Sequence, residues 1–228
     1  MVLPAGIGQG TLCDVSTTEP IAELFDRECC LAAETDRAPT AGVDDVSALL
    51  LDVLREAGFS GGTVLELGSG DGTLSRELLT RGADSVTGVD LSARSVEYAT
   101  ARAHAAGFGG RLSYEVGDAA KVSLPPCEAV VSEKVFCCYP DVGLLLANTL
   151  PAARSVYALV LPESRGPLGW LSRFLITLEN SWRWLRREQF RAHVHDVRSI
   201  ERMIAAAGFV RRASRRHGMW RALAFSRA

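Results

Sequence analysis

The chain has 228 residues, 47% hydrophobic and 23% charged, with a formal net charge of −2. A chain of this size buries roughly 70–75% of its unfolded surface, so its core needs no disulfide or metal staple. The near-neutral balance supplies no overall basic field to draw the protein onto nucleic acid.

No basic start followed by an apolar run marks a secretory signal, and no apolar stretch reaches the roughly 18 residues of a membrane span. The cytoplasm is the expected compartment, and it keeps the six cysteines, Cys13, Cys29, Cys30, Cys127, Cys137 and Cys138, as thiols. No C-x-x-C spacing occurs, so no metal site is expected.

Taken in chain order, residues 1–18 are rich in Gly, Thr and Ser and are expected as a flexible tail. Helical periodicity predicts helices over Pro20–Glu34 and Val43–Ala57. Strand and helix patterns then alternate. Strands are expected at Thr63–Leu67, Ser85–Asp90, Arg111–Val116, Glu128–Val131 and Ser155–Leu161, with helices at Thr73–Arg81, Ser92–Ala106 and Asp141–Leu150. Residues 162–190 fit no simple strand or helix slot and hold Trp170, Trp182 and Trp184. A helix from Asp196 to Ala207 precedes two last strands near 209–215 and 219–226. Such alternation implies a mainly parallel, doubly wound sheet with helices on both faces.

VLELGSGDGT at 64–73 carries the strongest chemistry. A strand delivers the chain into Gly68-Ser69-Gly70-Asp71-Gly72 and a helix follows at once, a turn that needs glycine for unusual dihedrals and close ligand approach. Asp90 ends the next strand, where a carboxylate can accept from both hydroxyls of a ribose. The spacing departs from the dinucleotide fingerprint G-x-G-x-x-G, because the third glycine arrives one position early. Glu66 at the loop entrance repels phosphate and suits a cationic ammonium or sulfonium. Gly117-Asp118-Ala119 adds an acid after the third strand, able to accept from an adenine amino group.

With ELGSGDG at 66–72, VD at 89–90 and GDA at 117–119, the chain resembles the class I S-adenosylmethionine-dependent methyltransferases. The resemblance implies a Rossmann-like seven-stranded sheet with the last strand antiparallel, N-terminal helices and a cap inserted after strand five. It implies S-adenosylmethionine as cofactor and S-adenosylhomocysteine as product. Glu66, Gly68, Ser69 and Gly70 would face the methionine half, with Glu133 nearby. Asp90 and Leu91 would meet the ribose, and Asp118 with Ala119 the adenine. One domain over 19–228 is expected: N-terminal helices to 60, a cofactor-binding core over 61–161, a cap and substrate segment over 162–195, then the last helix and strands.

In that fold EKVFCCYPD at 133–141 forms the exit of strand four and a wall beside the transferable methyl. Tyr139-Pro140, FRAHVH at 190–195 and AAGF at 206–209 are more loosely similar to magnesium-protoporphyrin O-methyltransferases, though His193 stands where an aromatic residue is usual. A small-molecule acceptor is expected, flat or anionic in one reading, with nucleic-acid or protein methylation, or cofactor binding without turnover, as alternatives. His195, His193 and Tyr139 are the catalytic candidates, a histidine as general base for a hydroxyl acceptor and Tyr139 to position it. Cys137 and Cys138 read as packing residues, pocket lining or a thiolate pair. The three tryptophans either sandwich a flat acceptor or form the core of a small helical cap. The nearby arginines form a solvated basic face or the rim of an anion-attracting site.

Overall fold

A computed structural model describes residues 18–34 and 43–228, without the side chains of 30–34. Residues 1–17 of the expected tail, with Cys13, and the side chain of Cys30 lie outside the described residues. Helices α1 (Glu19–Glu34) and α2 (Asp45–Glu56) come first. There follow β1 (Gly62–Leu67), α3 (Thr73–Thr80), β2 (Ala83–Asp90), α4 (Ala93–Ala105), β3 (Leu112–Val116), β4 (Cys127–Glu133), α5 (Val142–Thr149) and β5 (Ala153–Pro162). The chain closes with α6 (Gly166–Leu185), α7 (Val197–Ala206), β6 (Phe209–His217) and β7 (Trp220–Arg227).

The strands form one sheet in the order β3-β2-β1-β4-β5-β7-β6. β1 to β5 run parallel, while β7 is antiparallel to both β5 and β6. Strand order reverses between β1 and β4, so a crevice opens beyond their C-terminal ends.

Two-residue alternation assigns side chains to the two faces. Leu65, Val130, Tyr157, Leu159, Leu223 and Phe225 join the apolar layer under α5 and α7. Val64, Ala129, Val131, Ala158, Ala222 and Ala224, at alternate positions, join the layer that includes Leu50 and Leu54 of α2. The second face is built of smaller residues, which lets α2 lie close across β5, β7 and β6.

The structure corrects the reading of 162–190. Most of it is a single 20-residue helix, α6, about 30 Å long. Pro167 sits in its first turn, where its missing N–H costs nothing. Trp170, Trp182 and Trp184 are 69%, 56% and 70% exposed and are the core of nothing.

Candidate active site

β1 ends in a loop where Gly68, Gly70 and Gly72 all take positive φ, of 68°, 50° and 73°. A Cβ at Gly70 would meet nothing, so glycine is required there by the dihedral and leaves open space in front of the backbone. Gly88 on β2 is required for a different reason. Any Cβ would strike Ser69 and Tyr114, so the loop can lie close over β2 only because Gly88 is bare.

Asp90 fastens that loop. Its Oδ2 accepts from the Gly70 N–H at 2.8 Å and its Oδ1 from the Ser92 N–H at 2.8 Å. The side chain is therefore fixed at the crevice with lone pairs left over. Burial pushes its pKa up, opposed by these backbone bonds.

Glu66 lies deeper, 2% exposed, where its Oε2 accepts from the Ser75 hydroxyl. Burial pushes its pKa up to about 8, aided by the charges of Glu133, Asp71 and Asp90. The carboxylate expected at the loop entrance is thus a neutral acid at pH 7 in the free protein, because the tertiary packing removes its water.

Glu66 lines a cavity of about 280 Å³ with Gly68, Ser69, Gly70, Asp71 and Glu133. Its far wall, Asp44 and Ser47 at the start of α2, was not foreseen from sequence. A signal existed: Asp44 is the N-cap of α2, accepting from the N–H groups of Val46 and Ser47. Ser47 Oγ also lies 2.7 Å from Glu133 Oε2, and Lys134 Nζ bridges Asp44 and Glu133 at 2.9 and 3.0 Å. Lys134 takes φ 58°, an uncommon backbone for a non-glycine, as the chain turns out of β4.

Asp118 and Tyr139 pair with each other just beyond β3 and β4. Tyr139 is buried and donates its hydroxyl to Asp118 Oδ1 at 2.9 Å, while Ala120 N–H, Thr18 Oγ1 and Lys121 Nζ also reach that carboxylate. After the opposing cost of burial, these partners hold Asp118 below the usual carboxylate range. Ala119 is buried beneath it and Leu91 is half-buried alongside.

α1 folds over the crevice. Asp26 accepts from Ser92 Oγ at 2.6 Å, and Ile21 and Leu24 pack on Cys137, Cys138 and Phe190. Both thiols point at the Lys134 carbonyl, and the neighbouring Cys137 together with burial pushes the Cys138 thiol up. The pair therefore forms apolar wall. Among the described residues, no group of three or more His, Cys, Asp or Glu side chains is arranged to hold a metal ion.

The 190–195 segment is tied to the same wall, with the His193 N–H donating to the Cys137 carbonyl at 2.7 Å. The two histidine rings stack at 5.7 Å. His195 Nε2 donates to the Tyr139 carbonyl at 2.9 Å, so its proton is committed to holding the wall. His193 is half-buried, with no ring hydrogen bond among the described contacts, and burial pulls its pKa down, with a smaller effect of His195.

The residues fit a nucleoside carrying an amino acid. Ser69 Oγ is buried in the cavity wall with no hydrogen-bond partner, Asp90 presents an anchored carboxylate, and Glu133 and Asp44 supply negative charge. The sheet order with β7 antiparallel, and a cavity at the switch point, are the Rossmann-like arrangement that the resemblance implied.

Comparison with known proteins agrees. Residues 64–154 match the family described as "Methyltransferase domain". The probable ribosomal RNA small subunit methyltransferase A of Methanospirillum hungatei JF-1 is 39% identical over 87 residues, 38% of this chain and 32% of that protein. The chain thus spans about a third of the curated relative it matches.

Among solved structures, magnesium protoporphyrin IX methyltransferase of Synechocystis PCC 6803 with bound SAH superposes with TM-score 0.58 at 19% identity, covering 98% of this chain and 90% of that one. Geranyl diphosphate C-methyltransferase of Streptomyces coelicolor A3(2) gives 0.60 at 17% identity, covering 80% and 75%. At these identities the likeness is one of fold.

Proposed function

We propose that the protein methylates a hydroxyl of a small-molecule acceptor in the cytoplasm, with His193 as general base. The observation that carries this reading is the pairing of a free, neutral His193 ring with a latched His195 on the wall of the cofactor crevice. When bound, S-adenosylmethionine supplies an electrophilic methyl on a sulfonium, so the protein has to align the acceptor, exclude water and take a proton.

In this reading Asp90, with Leu91 beside it, holds the ribose, and Asp118 with Ala119 receives the adenine. Ser69, Gly68, Gly70, Glu66 and Glu133 face the amino-acid half, with Asp44 and Ser47 added to that set. Glu66 and Glu133 receive the ammonium, and Ser69 Oγ donates to the carboxylate. Tyr139 positions Asp118 and walls the acceptor side. Depressed pKa keeps His193 unprotonated at pH 7, ready to accept the hydroxyl proton. We assign His195 a positioning role, its Nε2–H donating to Tyr139 O. α1, the Cys137–Cys138 wall and the stretch around Phe190 and Ala192 enclose the acceptor.

A small acceptor is favoured because α1 covers the crevice, leaving little room for a base embedded in a folded RNA. The matched stretch of the ribosomal RNA methyltransferase keeps RNA as the second reading.

The test is transfer of labelled methyl into fractionated bacterial extract, comparing wild type with His193→Gln and His195→Gln. Label is expected in the low-mass, organic-soluble fraction, with the larger loss of rate in His193→Gln. Label confined to RNA or protein would replace this substrate class. A full rate in His193→Gln would remove the base.

A further inference from the structure

α6 turns its amphipathic pattern away from the protein. Gly169 and Ser172 are its buried residues, and Asn180 and Arg183 on the same side tie it to Ala192, Glu188 and Phe190. Its base is clamped by buried Glu163, which accepts from the N–H groups of Ser164 and Arg165 and pairs with Arg221. The helix is therefore held in place by its small and polar face. On the opposite face Trp170, Leu171, Phe174, Leu178, Trp182 and Leu185 are each 41–69% exposed. This stripe runs about 22 Å along the helix. Trp170 and Phe174 stack on one another and on no other described ring.

Charge says what covers it. Six arginines and two glutamates lie between Arg165 and Arg191, a local net charge of +4 in a chain whose total is −2. Arg186 and Arg187 stand exposed at the C-terminal end of the apolar stripe. A second copy docking here would bring two like-charged patches together. An anionic surface meets both features at once: apolar and tryptophan side chains enter the boundary between headgroups and acyl chains, and arginines meet lipid phosphates. Among the described residues no helix is long and apolar enough to cross a membrane, which suits a helix lying in the interface plane.

We propose that α6 docks this protein on the surface of an anionic lipid bilayer, its outer stripe in the interface and its arginines on the headgroups. The face was hidden from sequence because the same stripe would equally suit a buried helix. Only the packing of Gly169 and Ser172 shows that it points outward.

Flotation with vesicles of phosphatidylcholine alone, or mixed with phosphatidylglycerol at roughly two to one, tests the proposal. Three of the four tryptophans sit on α6, so their emission reports the contact directly. The protein is expected to float with the mixed vesicles, to shift its emission to the blue, and to lose binding as salt rises. Combined Trp170→Ser, Phe174→Ser and Trp182→Ser is expected to lower partitioning at least about tenfold. Arg186→Gln with Arg187→Gln is expected to weaken binding to the mixed vesicles only. All these positions lie outside the cofactor cavity, so retained S-adenosylhomocysteine binding certifies the fold of each variant. A wild-type chain that binds S-adenosylhomocysteine yet no vesicle would overturn the proposal, as would undiminished vesicle binding by the triple variant. A concentration-dependent dimer dissolved by the triple variant, with no vesicle binding, would give the face to a second copy instead.

Discussion

Replacing Glu66 by Gln isolates one buried proton. Glu66 is 2% exposed, its partner is the Ser75 hydroxyl, and its pKa is pushed up to about 8. An unfolded chain returns it to about 4.3. Between those values the folded state holds one proton more than the unfolded state, so this group makes stability fall as pH rises. At about 1.4 kcal/mol per pH unit, the fall between about pH 5 and about pH 7.5 is on the order of 3 kcal/mol. It stops above the folded pKa, where both states are ionised. Glutamine keeps the shape and an acceptor for Ser75 but cannot ionise, so Glu66→Gln lacks this slope. Urea unfolding of both proteins at the two pH values measures it, since other titrating groups cancel in the difference. Parallel pH dependence in wild type and variant would refute the reasoning and make Glu66 a carboxylate in the free protein.

Cofactor binding offers further checks. A cation arriving beside Glu66 favours its ionised form, so calorimetry with S-adenosylhomocysteine at pH 7 in buffers of different ionisation enthalpy should reveal proton release, absent in Glu66→Gln. Asp90→Ala removes the acceptor for Gly70 and Ser92 as well as the proposed ribose contact, and should weaken S-adenosylhomocysteine binding by about 100-fold or more, read by the same calorimetry. If His193 is the base we propose, the acid limb of the kcat profile should fall below the ordinary histidine pKa of about 6.5, with rate lost as pH drops through its lowered pKa. His193→Gln should abolish that limb while His195→Gln preserves it. Leu65→Ala, deleting a fully buried side chain under β1, should cost about 2–5 kcal/mol in urea unfolding with the m-value unchanged.

What the sequence by itself determined was local. Short apolar runs such as SVYALVL set the strands, glycines at 68, 70 and 72 set the turn, and acids at 90 and 118 stood at or just past strand ends. Each of these depends on dihedral preference or on neighbours within a few residues, so a linear reading reaches it. The tertiary structure decided the rest. Asp44 and Ser47 joined the cavity because α2 crosses the sheet, and Glu66 became a neutral acid because packing stripped its water. The His195 ring was turned onto the Tyr139 carbonyl, 56 residues away in the chain. α6 showed its tryptophans outward because two small residues, Gly169 and Ser172, took the inside. Burial, ionisation and facing belong to pairs of elements far apart in the chain, and no single stretch of sequence contains them.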